Sequence, residues 1–222
     1  MHREGRGRGR VPRPQEEAVD APRTGAPPRG AYAKSAGRRR EILRAAVEVF
    51  SEHGYRKGSL RDVAERVGMT QAGVLHHYPS KAHLLEAVLA WRDRETTIRM
   101  GDPPPEGVDH LRATVDLAAF NATTPELVEL YAVLAAEATA PDHPAHEYFI
   151  GHYAHVLGSL RTALQTAAAE GELRPGIDPD STARATVALM DGLQLQWLLD
   201  REAVDMAEEL RRYLQPLLTV AL

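Results

Sequence analysis

Apolar residues recur along most of the chain at the three- and four-residue spacings of amphipathic helices. Ile42, Ala46, Val49 and Phe50 form one stripe, because residues separated by four, seven or eight positions share a helix face. Further stripes, separated by glycine and proline, lie at residues 108–121, 125–140, 145–170, 179–199 and 202–220. Asp178, followed by Pro179, is predicted to cap the helix at 179–199. No segment keeps the alternation that is typical of strands. The pattern predicts an all-α protein of about nine helices.

Two short helices are predicted after the first stripe. Ser59 followed by Asp62 has the spacing of an N-cap with a partial capping box, which opens a helix. Gly68 then tolerates the positive φ of a turn, and Thr70 caps a second helix that ends before Pro79. This layout is that of a helix-turn-helix, although an ordinary helical hairpin gives the same bare pattern.

Composition divides the chain into three parts. Residues 1–36 are mainly Gly, Pro, Arg and Ala, which bury too little apolar surface to offset the entropy of ordering, so we predict a disordered basic leader. Residues 37–82 contain the predicted helix-turn-helix, which continues into a linking helix at 81–99. Residues 100–222 are predicted to form a larger helical domain.

Charge is distributed unevenly along the chain. Residues 1–100 contain 20 Lys and Arg against 12 Asp and Glu, whereas residues 101–222 contain 7 against 19. A basic half indicates an anionic partner, either nucleic acid or a membrane surface. The sequence has no cysteine, no apolar run of the ~18 residues needed to cross a bilayer, and no signal-peptide pattern. We therefore expect a soluble, cytoplasmic protein that does not enter a membrane.

A longer motif covers residues 42–85, which read ILRAAVEVFSEHGYRKGSLRDVAERVGMTQAGVLHHYPSKAHLL. This motif resembles the N-terminal DNA-binding domain of the TetR family of bacterial transcriptional regulators. The matching residues are Ile42, Leu43, Ala45, Ala46, Phe50, Gly54, Tyr55, Ser59, Val63, Ala64, Gly68, His77, Tyr78, Ser80 and Lys81. The resemblance implies a homodimer that binds a palindromic operator in double-stranded DNA, with a second domain that binds a small-molecule effector.

The resemblance also implies contacts with DNA. Gln71 is expected to reach a base edge, since Gln can pair bidentately with adenine. Leu75 and Gly73 stand where the family usually has Tyr and Thr, and Leu75 either meets a thymine methyl or packs inward. The residues expected to face the major groove or to contact phosphates are Arg38, Arg39, Arg61, Thr70, Gln71, Ala72, Gly73, His76, His77 and Lys81.

The resemblance also implies two further surfaces in the second half. Residues expected either to line an effector cavity or to pack in the core are Phe120, Tyr131, Tyr148, Tyr153, Met190, Gln194 and Trp197. Residues expected to form the dimer interface are Val187, Met206, Leu210, Tyr213, Leu214 and Leu217. A two-fold dimer matches two DNA half-sites, but packing within one subunit explains the same stripes.

Four histidines support a different function. His143 and His146 are three residues apart, as are His152 and His155, so each pair can share a helix face and bind Zn²⁺ or Ni²⁺. A metal-dependent enzyme or metal sensor is therefore the alternative hypothesis, and a general DNA-binding protein without an effector is a third. The leading hypothesis is a repressor released by a small effector, with no cofactor and no catalytic activity.

Overall fold

The computed structural model describes the backbone of residues 29–222 and the side chains from Ser35 onward. Within this part, the chain forms nine α-helices and a final 3₁₀ turn. They are α1 (Arg29–Lys57), α2 (Leu60–Arg66), α3 (Gln71–His77), α4 (Lys81–Met100), α5 (Gly107–Asn121), α6 (Pro125–Glu137), α7 (His146–Ala169), α8 (Pro179–Leu199), α9 (Met206–Leu214) and the turn Gln215–Leu217. No strand forms among residues 29–222. The prediction of an all-α fold is confirmed.

Several helix ends lie where the local sequence predicted them. Ser59 caps α2, and the Asp62 carboxylate accepts the Ser59 N–H at 2.9 Å, which completes the capping box. Gly68 has a φ of 62° at the turn, and the side chain of Thr70 caps α3. Asp178 caps α8 in the same way. Because such caps involve residues three positions apart, sequence reasoning finds them readily.

The beginning of the first helix was predicted too late. α1 begins at Arg29, so the segment predicted to end a disordered leader at residue 36 is helical from residue 29. The sequence has three alanines between residues 29 and 36 and no proline after Pro28 until Pro79, and these features favour a helix. The rest of the predicted leader, residues 1–28, lies outside the described residues.

The last helix is shorter than the predicted 202–220. The Asp200 carboxylate accepts two backbone N–H groups of a turn, which delays α9 to Met206. Pro216 lies in the 3₁₀ turn that follows Leu214, and proline cannot supply the N–H that a continuing α-helix requires.

Two apolar cores hold the helices together. The first joins α1–α4 to α6 and the beginning of α7, and Phe50, Leu84 and Leu134 are fully buried in it. The second joins α5, α7, α8 and α9. Each large aliphatic side chain buried in this way contributes about 1.5–3 kcal/mol. Because the first core includes α6, packing continues across the boundary predicted near residue 100.

The helices carry polar residues along their whole length. None of those in the described part of the chain is both long enough and apolar enough to traverse a lipid bilayer.

Candidate DNA interface

The first turn of α3 projects from the helix-turn-helix. Gln71 and Ala72 are exposed, whereas Val74 is fully buried against the first core. Thr70 Oγ1 accepts the Gly73 N–H at 3.1 Å and so determines where α3 begins. A helix end that is capped, anchored on one face and exposed on the other is suited to enter the major groove.

The two positions that depart from the family motif have different surroundings. A Cβ at Gly73 would lie 3.0 Å from Met69 Cε, so a larger residue there would require Met69 to shift. Leu75 is half-buried and packs against the first core. Of the two possibilities open for Leu75, the structure shows inward packing.

Exposed arginines near α3 form ion pairs within the domain. Arg61 Nε lies 3.0 Å from a carboxylate oxygen of Glu65, and Arg38 lies 2.6 Å from Glu41. Surface pairs of this kind contribute little stability, with a median of about 0–1 kcal/mol. Phosphate oxygens can therefore replace these carboxylates at low energetic cost.

Arg39 joins α1 to the end of α3. Its guanidinium donates a hydrogen bond to the His77 carbonyl at 3.1 Å. The same group lies 5.5 Å from the centroid of the Tyr78 ring. The basic segment before the motif predicted Arg39 as a phosphate contact only, because nothing in the local sequence indicates a partner so far along the chain.

The histidines at the end of α3 differ in their surroundings. His76 is exposed, and His77 is half-buried. Burial lowers the pKa of His77, and the neighbouring His76 and Arg39 lower it further. The lowered pKa favours the neutral imidazole in the free chain, and a neutral His77 can donate a hydrogen bond to a phosphate oxygen.

Lys81 lies beside the end of α1, against which the first turn of α4 packs. Its ammonium lies 4.3 Å from the centroid of the Tyr55 ring. It also donates a long hydrogen bond of 3.4 Å to the Arg56 carbonyl. Lys81 is only half-buried, and the phosphate contact expected of it stays a prediction.

A cavity of about 620 Å³ lies between α4, α5 and α7. Cavities of roughly 300–1,000 Å³ bind drug-sized molecules. Its lining includes Met100, His110, Thr114, Leu117, Tyr148 and Met190. Tyr148 and Met190 are therefore the two predicted pocket residues that line it.

The other predicted pocket residues lie elsewhere. Phe120, Tyr131 and Gln194 line a separate space of about 20 Å³, which holds no more than a water molecule. The Tyr153 hydroxyl donates to a carboxylate on α8 at 2.8 Å, and Trp197 is buried in the second core. These five residues therefore do not line the large cavity, and core packing, the alternative to a ligand contact, describes the surroundings of Tyr131, Tyr153 and Trp197 in this structure.

Most of the predicted dimer residues pack inside their own chain. Val187, Met206, Leu210 and Leu214 are at most 8% exposed and belong to the second core. A side chain that faces its own core cannot contact a partner, so the prediction was wrong for these four. The remaining two residues, Tyr213 and Leu217, are half-buried.

The two pairs of candidate metal-binding histidines lie in different places. His143 is buried beside α6, and His146 Nδ1 lies 2.7 Å from the Ala138 carbonyl oxygen. His152 and His155 both line the cavity, and burial lowers the pKa of His152 to about 4. Among the described residues, no group of three or more potential ligands could hold a metal ion. The metal-dependent alternative has no support.

The capped and exposed α3, held by α1 and α2, defines a helix-turn-helix protein. The family model described as bacterial regulatory proteins, tetR family, matches residues 42–88. A second model, described as BetI-type transcriptional repressor, C-terminal, matches residues 107–219. The chain belongs to the TetR family of transcriptional regulators.

Individual relatives agree with this assignment. The chain is 24% identical over 165 residues to the HTH-type transcriptional regulator SrpR of Pseudomonas putida, covering 74% of this chain and 76% of SrpR. It is 25% identical over 172 residues to the regulator UidR of Escherichia coli K12, covering 77% and 85%. The crystal structure of NalD, the secondary repressor of the MexAB-OprM multidrug efflux pump in Pseudomonas aeruginosa, aligns with a TM-score of 0.60 at 25% identity, covering 83% and 98%. The predicted family and class of function are confirmed.

Proposed function

We propose that this regulator is a homodimeric repressor that binds a palindromic operator through α3 and is released by a small molecule. The observation that carries the proposal is the capped, exposed first turn of α3. Residues 37–82 form the DNA-binding domain, and residues 100–222 form the effector-binding and dimerisation domain. This function requires binding without catalysis or a cofactor, and it operates in the cytoplasm, where the operator lies.

Direct reading of the DNA sequence is assigned to the first turn of α3. Gln71 pairs with an adenine in the major groove, and the small residues Ala72 and Gly73 let the helix approach the base edges. Thr70 holds this turn through its cap. Contacts with phosphates, which position the protein without reading sequence, are assigned to Arg38, Arg39, Arg61, His76 and His77.

The dimer interface is assigned to the exposed face of α8. Residues at spacings of three and four positions share this face, which consists of Ser181, Ala185, Ala188, Gly192, Leu195 and Leu199. Leu195 and Leu199 are 55% and 88% exposed, and a Cβ at Gly192 would meet nothing within 4 Å. An apolar face with small residues lets a second copy of α8 approach closely. The two-fold of such a pair places two α3 helices against two half-sites.

Effector release is assigned to the cavity of about 620 Å³. α4 forms one wall of this cavity and begins four residues after α3 ends. The Tyr148 hydroxyl donates to the Asp93 carboxylate at 2.7 Å, which ties α4 to α7 across the cavity. A ligand that separates these two helices moves α4 and, with it, α3. A coupling of about 1–3 kcal/mol changes DNA affinity roughly 5- to 150-fold.

The proposal is tested by binding of the purified full-length chain to the intergenic DNA upstream of its own gene. A scrambled duplex of equal length is the control, and the salt concentration is about 150 mM, because phosphate contacts alone give affinity at low salt. We expect the native duplex to bind about 10³-fold more tightly. If neither this duplex nor any duplex selected from a random library binds better than the scrambled control, sequence-specific regulation is wrong.

A further inference from the structure

The break in α1 at Gly54 lets the Tyr55 N–H donate a hydrogen bond outside its own helix. Gly54 has a φ of 71° and a ψ of 170°, so residues 55–57 leave the axis of the preceding helix. The Tyr55 N–H then donates to Glu137 Oε2 at 2.7 Å. A Cβ at Gly54 would overlap the Glu137 carboxylate, so glycine permits both the positive φ and this close approach.

Glu137 occupies an unfavourable place within its own helix. It is the last residue of α6, and a negative charge near a helix C-terminus is opposed by the helix dipole. Its favourable interactions come from outside α6. They are the Tyr55 N–H and the positive charge of Lys81, whose pKa burial lowers and Glu137 raises. The carboxylate therefore interacts most favourably across the boundary between α6 and the helix-turn-helix.

Three elements meet around the Tyr55 ring. The Lys81 ammonium lies 4.3 Å from its centroid, and the His143 ring lies edge-on to it with the centroids 5.2 Å apart. His143 Nδ1 accepts the Ala145 N–H at 3.1 Å, so the neutral ring carries its proton on Nε2. Nε2 is buried without a hydrogen bond and lies 3.5 Å from Glu137 Oε2. The end of α1, the start of α4 and the end of α6 therefore converge here.

This junction is close in sequence to the cavity wall. Glu147 and Tyr148 line the cavity from the first turn of α7, and His143 precedes that turn by only a few residues. Displacement of this turn can therefore reach the Glu137 carboxylate through His143, whose Nε2 lies 3.5 Å from Glu137 Oε2.

We propose that Glu137 is a positioning residue that fixes the orientation of the helix-turn-helix relative to α6 by holding the Tyr55 amide. A displacement of the cavity wall then moves α3 by two routes, through the contact between Glu137 and Tyr55 and through α4. The inference rests on the proposed function, because it describes how the DNA-binding domain is regulated. It also predicts that the orientation of the helix-turn-helix relative to the rest of the chain depends on Glu137, and this orientation can be measured without DNA.

The full chain contains no cysteine, so two introduced cysteines can carry spin labels without background. Glu65→Cys on α2 and Arg174→Cys beyond α7 place labels at exposed positions on the two sides of the junction. Pulsed electron paramagnetic resonance then measures the distance between them. The labelled chain is mixed with an excess of unlabelled chain, so that distances within one chain dominate.

Three substitutions distinguish the effect of the length of the Glu137 side chain from the effect of its charge. Glu137→Asp keeps the charge but withdraws the carboxylate by one methylene, and Glu137→Gln keeps an oxygen that can accept the Tyr55 N–H. The matched control, Asp142→Asn, also removes one charge at this junction, but it breaks the exposed 2.8 Å pair with Arg56, which is worth little. Circular dichroism confirms that each variant remains folded.

We expect the label distances to shift or broaden in Glu137→Asp and to stay close to those of the parent in Glu137→Gln and Asp142→Asn. Affinity for the duplex that binds the parent falls about tenfold in Glu137→Asp. Unchanged distances in folded Glu137→Asp overturn the positioning role, even when the parent binds DNA specifically. Changed distances support it, even when the parent shows no sequence-specific binding and the regulatory function itself is wrong.

Discussion

The Arg39 guanidinium lies 5.5 Å from the centroid of the Tyr78 ring, and the Tyr78 hydroxyl donates to the Arg39 carbonyl at 3.3 Å. In the first contact the side chain of Arg39 on α1 meets the Tyr78 ring, and in the second the side chain of Tyr78, at the end of α3, meets the Arg39 backbone. Arg39 therefore stabilises the position of α3, in addition to the phosphate contact that we propose for it.

Arg39→Ala is expected to lower the free energy of unfolding by about 1 kcal/mol, since it removes a cation–π contact and a hydrogen bond to the His77 carbonyl. Arg39→Lys keeps the charge but not the planar fork, so it should retain the salt dependence of DNA binding while losing this stability. Urea denaturation measures the first effect and salt titration the second. Arg40→Ala, at the exposed neighbouring position, is the control. Equal stability of all four proteins would contradict this stabilising role.

Gln71→Ala is expected to reduce discrimination between the native and scrambled duplexes by about 1–3 kcal/mol, because one bidentate base contact is lost. Binding to the scrambled duplex and the salt slope should remain unchanged. Gln165→Ala, which removes an exposed glutamine from α7, serves as the control. Equal loss of affinity for both duplexes in Gln71→Ala would assign Gln71 to the phosphate backbone instead.

Leu199→Glu is expected to convert the dimer to a monomer, because it places a charge on the apolar face of α8 that we propose as the interface, at the last residue of that helix. Leu199 is 88% exposed in the single chain, so the substitution should leave the monomer's own fold intact. Light scattering after size-exclusion chromatography measures the mass. Ile98→Glu alters another exposed aliphatic residue, 72% exposed on α4, and should remain dimeric. A Leu199→Glu dimer as stable as the parent would exclude α8 as the interface.

The half-buried His152 predicts a dependence of stability on pH. Its pKa falls from 6.5 to about 4 on folding, chiefly through burial, with Arg92 and His155 lowering it and Asp93 raising it. Between these values the unfolded chain binds a proton that the folded chain does not, so stability is lost as the pH falls from 6.5 toward 4.

His152→Gln should therefore reduce the difference in unfolding free energy between pH 8 and pH 5 by about 1–2 kcal/mol, after allowance for partial solvent contact. Urea denaturation at both pH values measures it. Thr162→Ala, at an exposed and non-titrating position on the same helix, should follow the parent. Parallel pH dependences for His152→Gln and the parent would show that this imidazole titrates normally.

Sequence reasoning succeeded where structure depends on near neighbours. The caps at Ser59, Thr70 and Asp178 and the turn at Gly68 each involve residues within one helical turn. The first turn of α3 was found for the same reason. The start of α1 was missed, because the glycine-, proline- and arginine-rich composition of the leader obscured the alanines that favour a helix from Arg29.

Contacts between distant segments were not predictable in this way. Glu137 and Tyr55 are 82 residues apart, and neither residue type indicates the other in the sequence. The lining of the large cavity was misplaced for a related reason. An apolar stripe identifies the side chains that face inward, but whether they fill the interior, as Trp197 does, or border an empty space depends on the helices opposite.

The close approach of Glu137 to Gly54 bears on the construction of hybrid regulators. The chain suggests a natural exchange point after Pro79, where the helix-turn-helix ends. A domain transplanted at that point would leave its Tyr55 amide facing whatever residue ends the sixth helix of the recipient. A hybrid regulator would therefore fold and bind its operator yet respond poorly to its new inducer, unless the recipient also supplies a carboxylate at the position of Glu137.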